Sequence, residues 1–348
     1  MRGCEITDDT NTLYIGGGTP SVLPLTVLGS LLEALKKTGH GGPYDEFTVE
    51  VNPEDIVEKG EDYVRGLLEF GVNRISMGVQ SFDDGILKFM NRRHNADTAV
   101  KAYAVLENAG VRNISIDLIF GLPQLSDRQW GETLKKALEI SSTGIPPQHI
   151  SAYQLSVEPG SMLAKMVEKG RFEEASDDLC EHQYSMLCDA LAAAGYRHYE
   201  ISNFARPGYE AVHNSAYWSH TPYVGFGPGA HSFLVPRSLG SPDLSPEPDH
   251  SVGIKRQWNR ADLCAYMVDP ASVREYETLD DGQLVLEKIM LGLRTSKGVE
   301  AGFIDGYCDA VAVSRALQAG NLVRLDDGNI RIPENRFFVS DGIIADIV

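Results

Sequence analysis

The 348-residue chain carries 31 Lys and Arg against 49 Asp and Glu, a net charge of −18, and 43% of it is hydrophobic. That apolar content suffices for a globular core, no stretch approaches the ~18 consecutive apolar residues of a membrane span, and so acidic a surface repels nucleic acid and anionic lipid unless a basic patch is built locally. The opening residues Met1 to Asp9 have no apolar region of the secretory type. The five cysteines (Cys4, Cys180, Cys188, Cys264 and Cys308) are odd in number with no CxxC pair, a pattern that suggests neither a disulfide framework nor a cysteine-rich metal site. The expected compartment is the cytoplasm.

The first element is a β-rich run, Asn11 to Ile15, that enters three glycines, Gly16, Gly17 and Gly18. Thr19 or Ser21 then caps a helix through Leu25, Leu28, Leu31, Leu32 and Leu35, with Pro20 or Pro24 in its first turn. Glycines after a strand let a backbone approach a ligand, and amides exposed at a helix start attract a carboxylate or phosphate. A tight strand–helix turn with no ligand is the competing reading.

The unit then recurs. Phe47 to Val51 is a strand closed by Asn52-Pro53, followed by a helix through Tyr63, Val64, Leu67 and Leu68 that stops at Gly71. Arg74 to Val79 is the next strand, with helical patterns to about Met90 and from Asp97 to Ala109. Asn113 to Ile119 is a fourth strand, and Ser126-Asp127-Arg128-Gln129 reads as a capping box for a helix to about Ile140. His149 to Gln154 is a fifth strand. Five successive βα units require a parallel sheet with right-handed crossovers, either open or part of a (β/α) barrel. In a barrel the carboxyl ends of the strands form the site. Glu50, Gln80, Asp117 and Gln154 fall there, and four polar strand ends in a row favour a shared site over four separate loop caps.

Beyond residue 160 the pattern changes. Glu173 to Ala194 is a helix with one apolar face, on which Cys180 and Cys188 face the core. Tyr199 to Ser202 is another strand, and Arg206-Pro207-Gly208-Tyr209 is a turn. His213-Asn214-Ser215-Ala216-Tyr217-Trp218 follows, then a glycine-rich run, Gly225 to His231, and a Pro/Ser/Gly-rich surface loop, Pro236 to His250. Asp280 to Leu293 and Ala310 to Ala319 are helices, and Leu322–Leu325 and Asn329–Ile332 flank Asp326-Asp327-Gly328 as a hairpin. Helices followed by a hairpin resemble a winged helix. With no basic recognition helix, a structural or lid role stands ahead of DNA binding. The expected layout is an α/β partial barrel over 1–235, a surface loop or linker over 236–270, and a small winged-helix-like domain over 271–348.

Four motifs, Gly16-Gly17-Gly18-Thr19-Pro20-Ser21, Glu50-Val51-Asn52-Pro53, Asn73 to Phe82, and Asp117-Leu118-Ile119-Phe120-Gly121-Leu122-Pro123, resemble in order and spacing the radical S-adenosylmethionine (SAM) proteins related to oxygen-independent coproporphyrinogen III oxidase. His213-Asn214-x-x-Tyr217-Trp218 is similar to the HNxxYW motif of the HemW heme chaperones. The resemblance covers essentially the whole chain. It implies that Gly17, Gly18 and Thr19 meet the amino and carboxylate ends of SAM, and that Glu50, Gln80, Arg92 and Asp117 also contact it. An amino-acid zwitterion and a ribose diol want such amides, carboxylates and carboxamides. It further implies that His213 ligates heme iron, an imidazole being a usual axial ligand, with Tyr217 and Trp218 as an aromatic wall. Arg92, Arg93 and Arg206 are candidates to meet the heme propionates. The other histidines, His220, His231 and His250 among them, read as ordinary side chains. The implied partners are heme, SAM and a heme-accepting protein, with no nucleic acid.

The chain departs from that family in one respect. The family holds a [4Fe–4S] cluster on a CxxxCxxC loop ahead of the GGGTP segment, and here only Cys4 precedes Gly16. Radical chemistry is therefore not expected of the chain as given. The strand at residues 11–15 becomes a bare edge, and a chain shortened at its start explains this better than true loss of the cluster. The functional expectations are a HemW-type heme chaperone, an oxygen-independent coproporphyrinogen III oxidase, or a cluster-free heme- and SAM-binding protein. The HNxxYW segment favours the first.

Overall fold

A computed structural model describes residues 10–236 and 253–348; Cys4, His250 and most of the expected Pro236–His250 loop lie outside the described residues. The described chain divides into two compact units. One comprises Asn11–His213 with Glu334–Phe338, and the other contains Asn214–Pro333 and Val339–Val348.

The first unit is a seven-stranded sheet. Its strands are β1 (Thr12–Ile15), β2 (Glu46–Val51), β3 (Arg74–Gln80), β4 (Ile114–Phe120), β5 (His149–Gln154), β6 (Arg197–Glu200) and β7 (Asn203–Ala205). They lie in the order β1-β2-β3-β4-β5-β7-β6. β1 to β5 pair in parallel, as the five βα units require, whereas β7 runs antiparallel to β5 and to β6. The strand expected at Tyr199–Ser202 is in fact a tight hairpin, because Ile201 and Ser202 form the turn between β6 and β7.

The crossover helices are α1 (Leu25–Lys37), α2 (Pro53–Glu69), α3 (Asp84–Phe89), α4 (Ala96–Ala109), α5 (Asp127–Leu138), α6 (Met162–Glu168) and α7 (Asp177–Ala193). The capping box of α5 forms, with Ser126 Oγ accepting from Gln129 N and Gln129 Oε1 accepting from Ser126 N. The cap expected of Thr19 or Ser21 does not form. Pro20–Val22 is a separate 3-10 turn and α1 begins only after Pro24. Ser21 instead donates to Asp55 Oδ2 (2.6 Å) and accepts from Asn52 N (3.0 Å), tying the glycine turn to the start of α2. Cys180 is buried as expected, while Cys188 is only partly so.

Alternation along the strands gives the sheet two faces. Phe47, Val49, Ile75, Met77, Ile116 and Leu118 are at most 1% exposed and form the core with Ile56, Val64, Leu67 and Leu106 of the helices. Residues of the other parity are largely polar: Thr12 and Tyr14, Glu46, Thr48 and Glu50, Arg74 and Ser76, Ser115 and Asp117, His149 and Ser151. A strand buried on both sides usually reads as a continuous apolar run. These do not, because their second face lines a polar interior.

In the second unit, β8 (His231–Leu234), β9 (Lys255–Asn259) and β10 (Arg274–Thr278) form an antiparallel sheet in the order β10-β9-β8. The stretch expected as a surface loop, 236–270, therefore holds β9 and a short helix, α9 (Leu263–Val268). Lys255-Arg256-Gln257-Trp258-Asn259 shows no apolar alternation because its side chains are mostly half-buried. Pairing with β8 and β10 makes it a strand. The helices α10 (Asp281–Gly292), α11 (Ala301–Tyr307) and α12 (Ala310–Gln318), the hairpin β11 (Val323–Arg324) and β12 (Ile330–Arg331), and α13 (Ser340–Ile347) complete it. Among the described residues no helix is long and apolar enough to cross a membrane.

Candidate functional site

The polar face of the first unit's sheet carries the site. At the carboxyl end of β1, Gly16 runs against Glu50: a Cβ at Gly16 would sit 2.7 Å from Glu50 Oε1. Gly17 (φ +75°) and Gly18 (φ +55°) adopt the left-handed conformation that glycine tolerates, and a Cβ there would meet nothing within 4 Å. The turn thus presents bare backbone to open space. Gly17 N donates to Glu50 Oε2 (2.9 Å), and Glu50 Oε1 accepts from the Tyr14 hydroxyl (2.6 Å). Thr19 Oγ1 accepts from Asn52 Nδ2 at 3.5 Å.

Glu50 and Asp117 lie within electrostatic reach of each other, although Asp117 sits in the middle of β4 and not at the strand end where the sequence put it. Ser76 Oγ donates to the Asp117 carboxylate (3.2 and 3.3 Å to its two oxygens). Burial pushes the Asp117 carboxyl up to about 6; the Arg74 guanidinium opposes this and the Glu50 charge adds to it. Gln80 ends β3 at φ +67°, beside a register shift in its pairing with β4. Its Nε2 would lie 2.8 Å from a Cβ at Gly78, beside Asn52 Oδ1. A non-glycine residue in that conformation at a strand end is strained backbone of the kind that collects at functional sites. Arg92 lies within electrostatic reach of Glu54 and Asp117, and burial lowers its pKa. Arg93 is turned to Glu54 (2.8 Å) and Asp55 (3.2 Å). Gln154, the fourth polar strand end, is exposed beside Gly121, apart from Glu50 and Asp117.

His213 lies toward the other end of the same strands. It belongs to α8 (Val212–Trp218), a short helix. Its Nδ1 is 2.8 Å from Thr12 Oγ1, its ring stacks on Tyr14 (5.0 Å between centroids, 22° between planes), and its backbone N–H donates to Glu46 Oε1 (3.3 Å). Glu46 Oε2 also accepts from Val212 N (2.7 Å), and the Tyr199 hydroxyl accepts from Ala211 N (3.2 Å). Burial lowers the His213 pKa, which the Glu46 carboxylate partly opposes and Arg74 reinforces. Arg74 itself is 1% exposed, and its charge also reaches Tyr14, Asp117 and His149. Sequence reasoning missed Thr12, Tyr14, Glu46 and Arg74. The signal that would have found them is the every-second-residue recurrence of polar side chains on otherwise apolar strands.

The Radical SAM superfamily matches residues 5–137. A zebrafish (Danio rerio) protein, radical S-adenosyl methionine domain-containing protein 1, mitochondrial, is 30% identical over 97% of this chain and 75% of its own length. Heme chaperone HemW of Bacillus subtilis is 32% identical over 84% of this chain and 71% of its own. The chain belongs to the HemW group of the radical SAM superfamily. HemW of Lactococcus lactis is 38% identical, with 64% of this chain matching 57% of that protein. The chain thus spans 57% to 75% of the length of these relatives. Among solved structures, coproporphyrinogen III oxidase (HemN) from Escherichia coli superposes with a TM-score of 0.73 at 18% identity, over 97% of this chain and 77% of that one. This likeness shows the shared fold, the curled radical SAM half-barrel.

Membership of this superfamily implies SAM and a [4Fe–4S] cluster. The open glycine turn beside the Glu50 carboxylate has the donors and acceptor that the amino-acid end of SAM calls for. The cluster finds no such fit: among the described residues no group of three His, Cys, Asp or Glu side chains is arranged to hold a metal, and Cys180, Cys188, Cys264 and Cys308 are separate free thiols.

Proposed function

We propose that this HemW-group chain binds heme through His213 and passes it to a protein partner, while its glycine turn holds SAM. The single observation that carries the reading is the setting of His213. The residue that opens the HNxxYW segment is fixed at the base of the strand interior by Thr12, Tyr14 and Glu46. Metal-bound imidazoles characteristically have their second nitrogen held by a hydrogen bond, as Thr12 holds Nδ1. Burial favours the neutral ring, the form that ligates iron. The names of the bacterial relatives, heme chaperones, agree with the reading. For SAM, the reading assigns the zwitterion to Gly17, Gly18 and Thr19, and further contacts to Glu50, Gln80, Arg92 and Asp117. A cytoplasmic setting belongs to the same proposal.

The oxidase reading rests on fold likeness alone. A heme titration tests the choice. His213→Ala is expected to weaken binding at least tenfold and to alter the Soret band, whereas His220→Ala leaves both unchanged. His220 is engaged elsewhere, 3.2 Å from Glu287 and stacked on Phe233. Unchanged affinity and an unchanged Soret band in His213→Ala would overturn the assignment.

A further inference from the structure

We infer that Tyr14 is a positioning residue that couples the glycine turn to His213, so that a ligand at Glu50 and a metalloporphyrin at His213 alter each other's affinity. This rests on the functional reading above, and goes beyond it in joining the two sites through one side chain.

Tyr14 touches both. Its hydroxyl donates to Glu50 Oε1 (2.6 Å), and its ring stacks on the His213 imidazole at 5.0 Å, 22° from parallel. Glu50 completes the chain by accepting from Gly17 N through its other oxygen (2.9 Å). The rest of His213 is tied to the base of the strands, its Nδ1 to Thr12 and its amide to Glu46.

The link has two arrangements. A ligand that brings ammonium or hydroxyl donors to Glu50 competes with the phenol for the same oxygen. If Tyr14 is displaced, a largely enclosed hydroxyl loses its acceptor, which is costly, and the ring must shift against His213. Whatever differential affinity follows is reciprocal by linkage: the state of Glu50 alters binding at His213 as much as a group at His213 alters binding at Glu50.

A double-mutant cycle on heme affinity tests this. Tyr14→Phe keeps the stack and removes the donor, Glu50→Gln removes the charge, and the pair is combined. Glu50→Gln is expected to change heme affinity and the Soret maximum in the Tyr14 background, by roughly two- to tenfold in affinity, and to change neither once position 14 is Phe. Additive effects in the cycle, with all four proteins melting alike, would overturn the coupling. That outcome is distinct from failure of the functional reading, which shows instead as a His213→Ala variant that binds heme normally. A cycle in which Glu50→Gln has no effect in either background also overturns the inference.

Discussion

Asp117 shows how much one residue's setting decides. The same carboxylate on a solvated loop would titrate near 4, yet burial in the middle of β4 raises it to about 6 against the opposing pull of Arg74 and the Ser76 hydroxyl. The direction of the pH effect follows from the proton count. Between about pH 4 and 6 the folded state holds the Asp117 proton more tightly than the unfolded state does. This group's contribution to stability is therefore greatest at the acid end and is lost as pH rises through 6. Asp117→Asn mimics the protonated acid at every pH. Relative to the parent, its stability is expected to improve by on the order of 1–2 kcal/mol between pH 4.5 and 7.5. Parallel denaturant melts at the two pH values measure it, and a constant difference would mean that the carboxylate is already ionised at the acid end.

At the scale of elements, α8 is the clearest case of structure imposed from outside. Seven residues cannot sustain a helix alone in water. This one begins where three successive amides, at Ala211, Val212 and His213, find acceptors on Tyr199 and Glu46. Glu46 is 4% exposed and also accepts from Thr48 Oγ1 (3.1 Å). Removing the carboxylate leaves two amides without their acceptor. Glu46→Ala is expected to cost about 1–3 kcal/mol and to speed amide exchange at Val212 and His213, while Glu46→Gln, which keeps one acceptor oxygen, falls between. Exchange rates at those amides that match the parent's in Glu46→Ala would show that α8 is held by other means.

For the whole molecule the governing number is the charge. A net −18 repels the two propionates of heme, so the approach of heme to this chain is uphill at long range. Salt screens that repulsion. Raising ionic strength from about 20 mM to about 300 mM is expected to accelerate heme association roughly two- to tenfold, with little change in dissociation. Stopped-flow absorbance at the Soret band measures both rates. An association rate that falls with salt would instead reveal a basic entrance that outweighs the net charge.

What the sequence determined by itself is what short-range physics governs. Alternation, caps and turn glycines read out β1 to β5 and the helices α2, α4 and α5 to within a residue or two, because each signal lies within the element it predicts, whereas α6 went unseen and the cap expected for α1 does not form. The carboxylate of Glu50 at the end of β2 was legible for the same reason, its place along a strand being a local fact, whereas Asp117, expected at a strand end, sits in the middle of β4 (Ile114–Phe120) because that strand runs on to Phe120. Tertiary structure decided the rest. Thr12 and His213 meet across 201 residues, and Glu46 reaches Val212 across 166. No pattern inside either segment encodes those partners, since only curling of the sheet brings them to one interior. The sheet of β8, β9 and β10 escaped notice likewise, because half-buried β9 and exposed β10, both rich in charged and polar residues, acquire their identity from pairing rather than from periodicity. The polar parity of β1 to β5 stood between the two cases. It was written in the sequence, but its meaning as a continuous polar interior depended on all five strands presenting that parity to the same side.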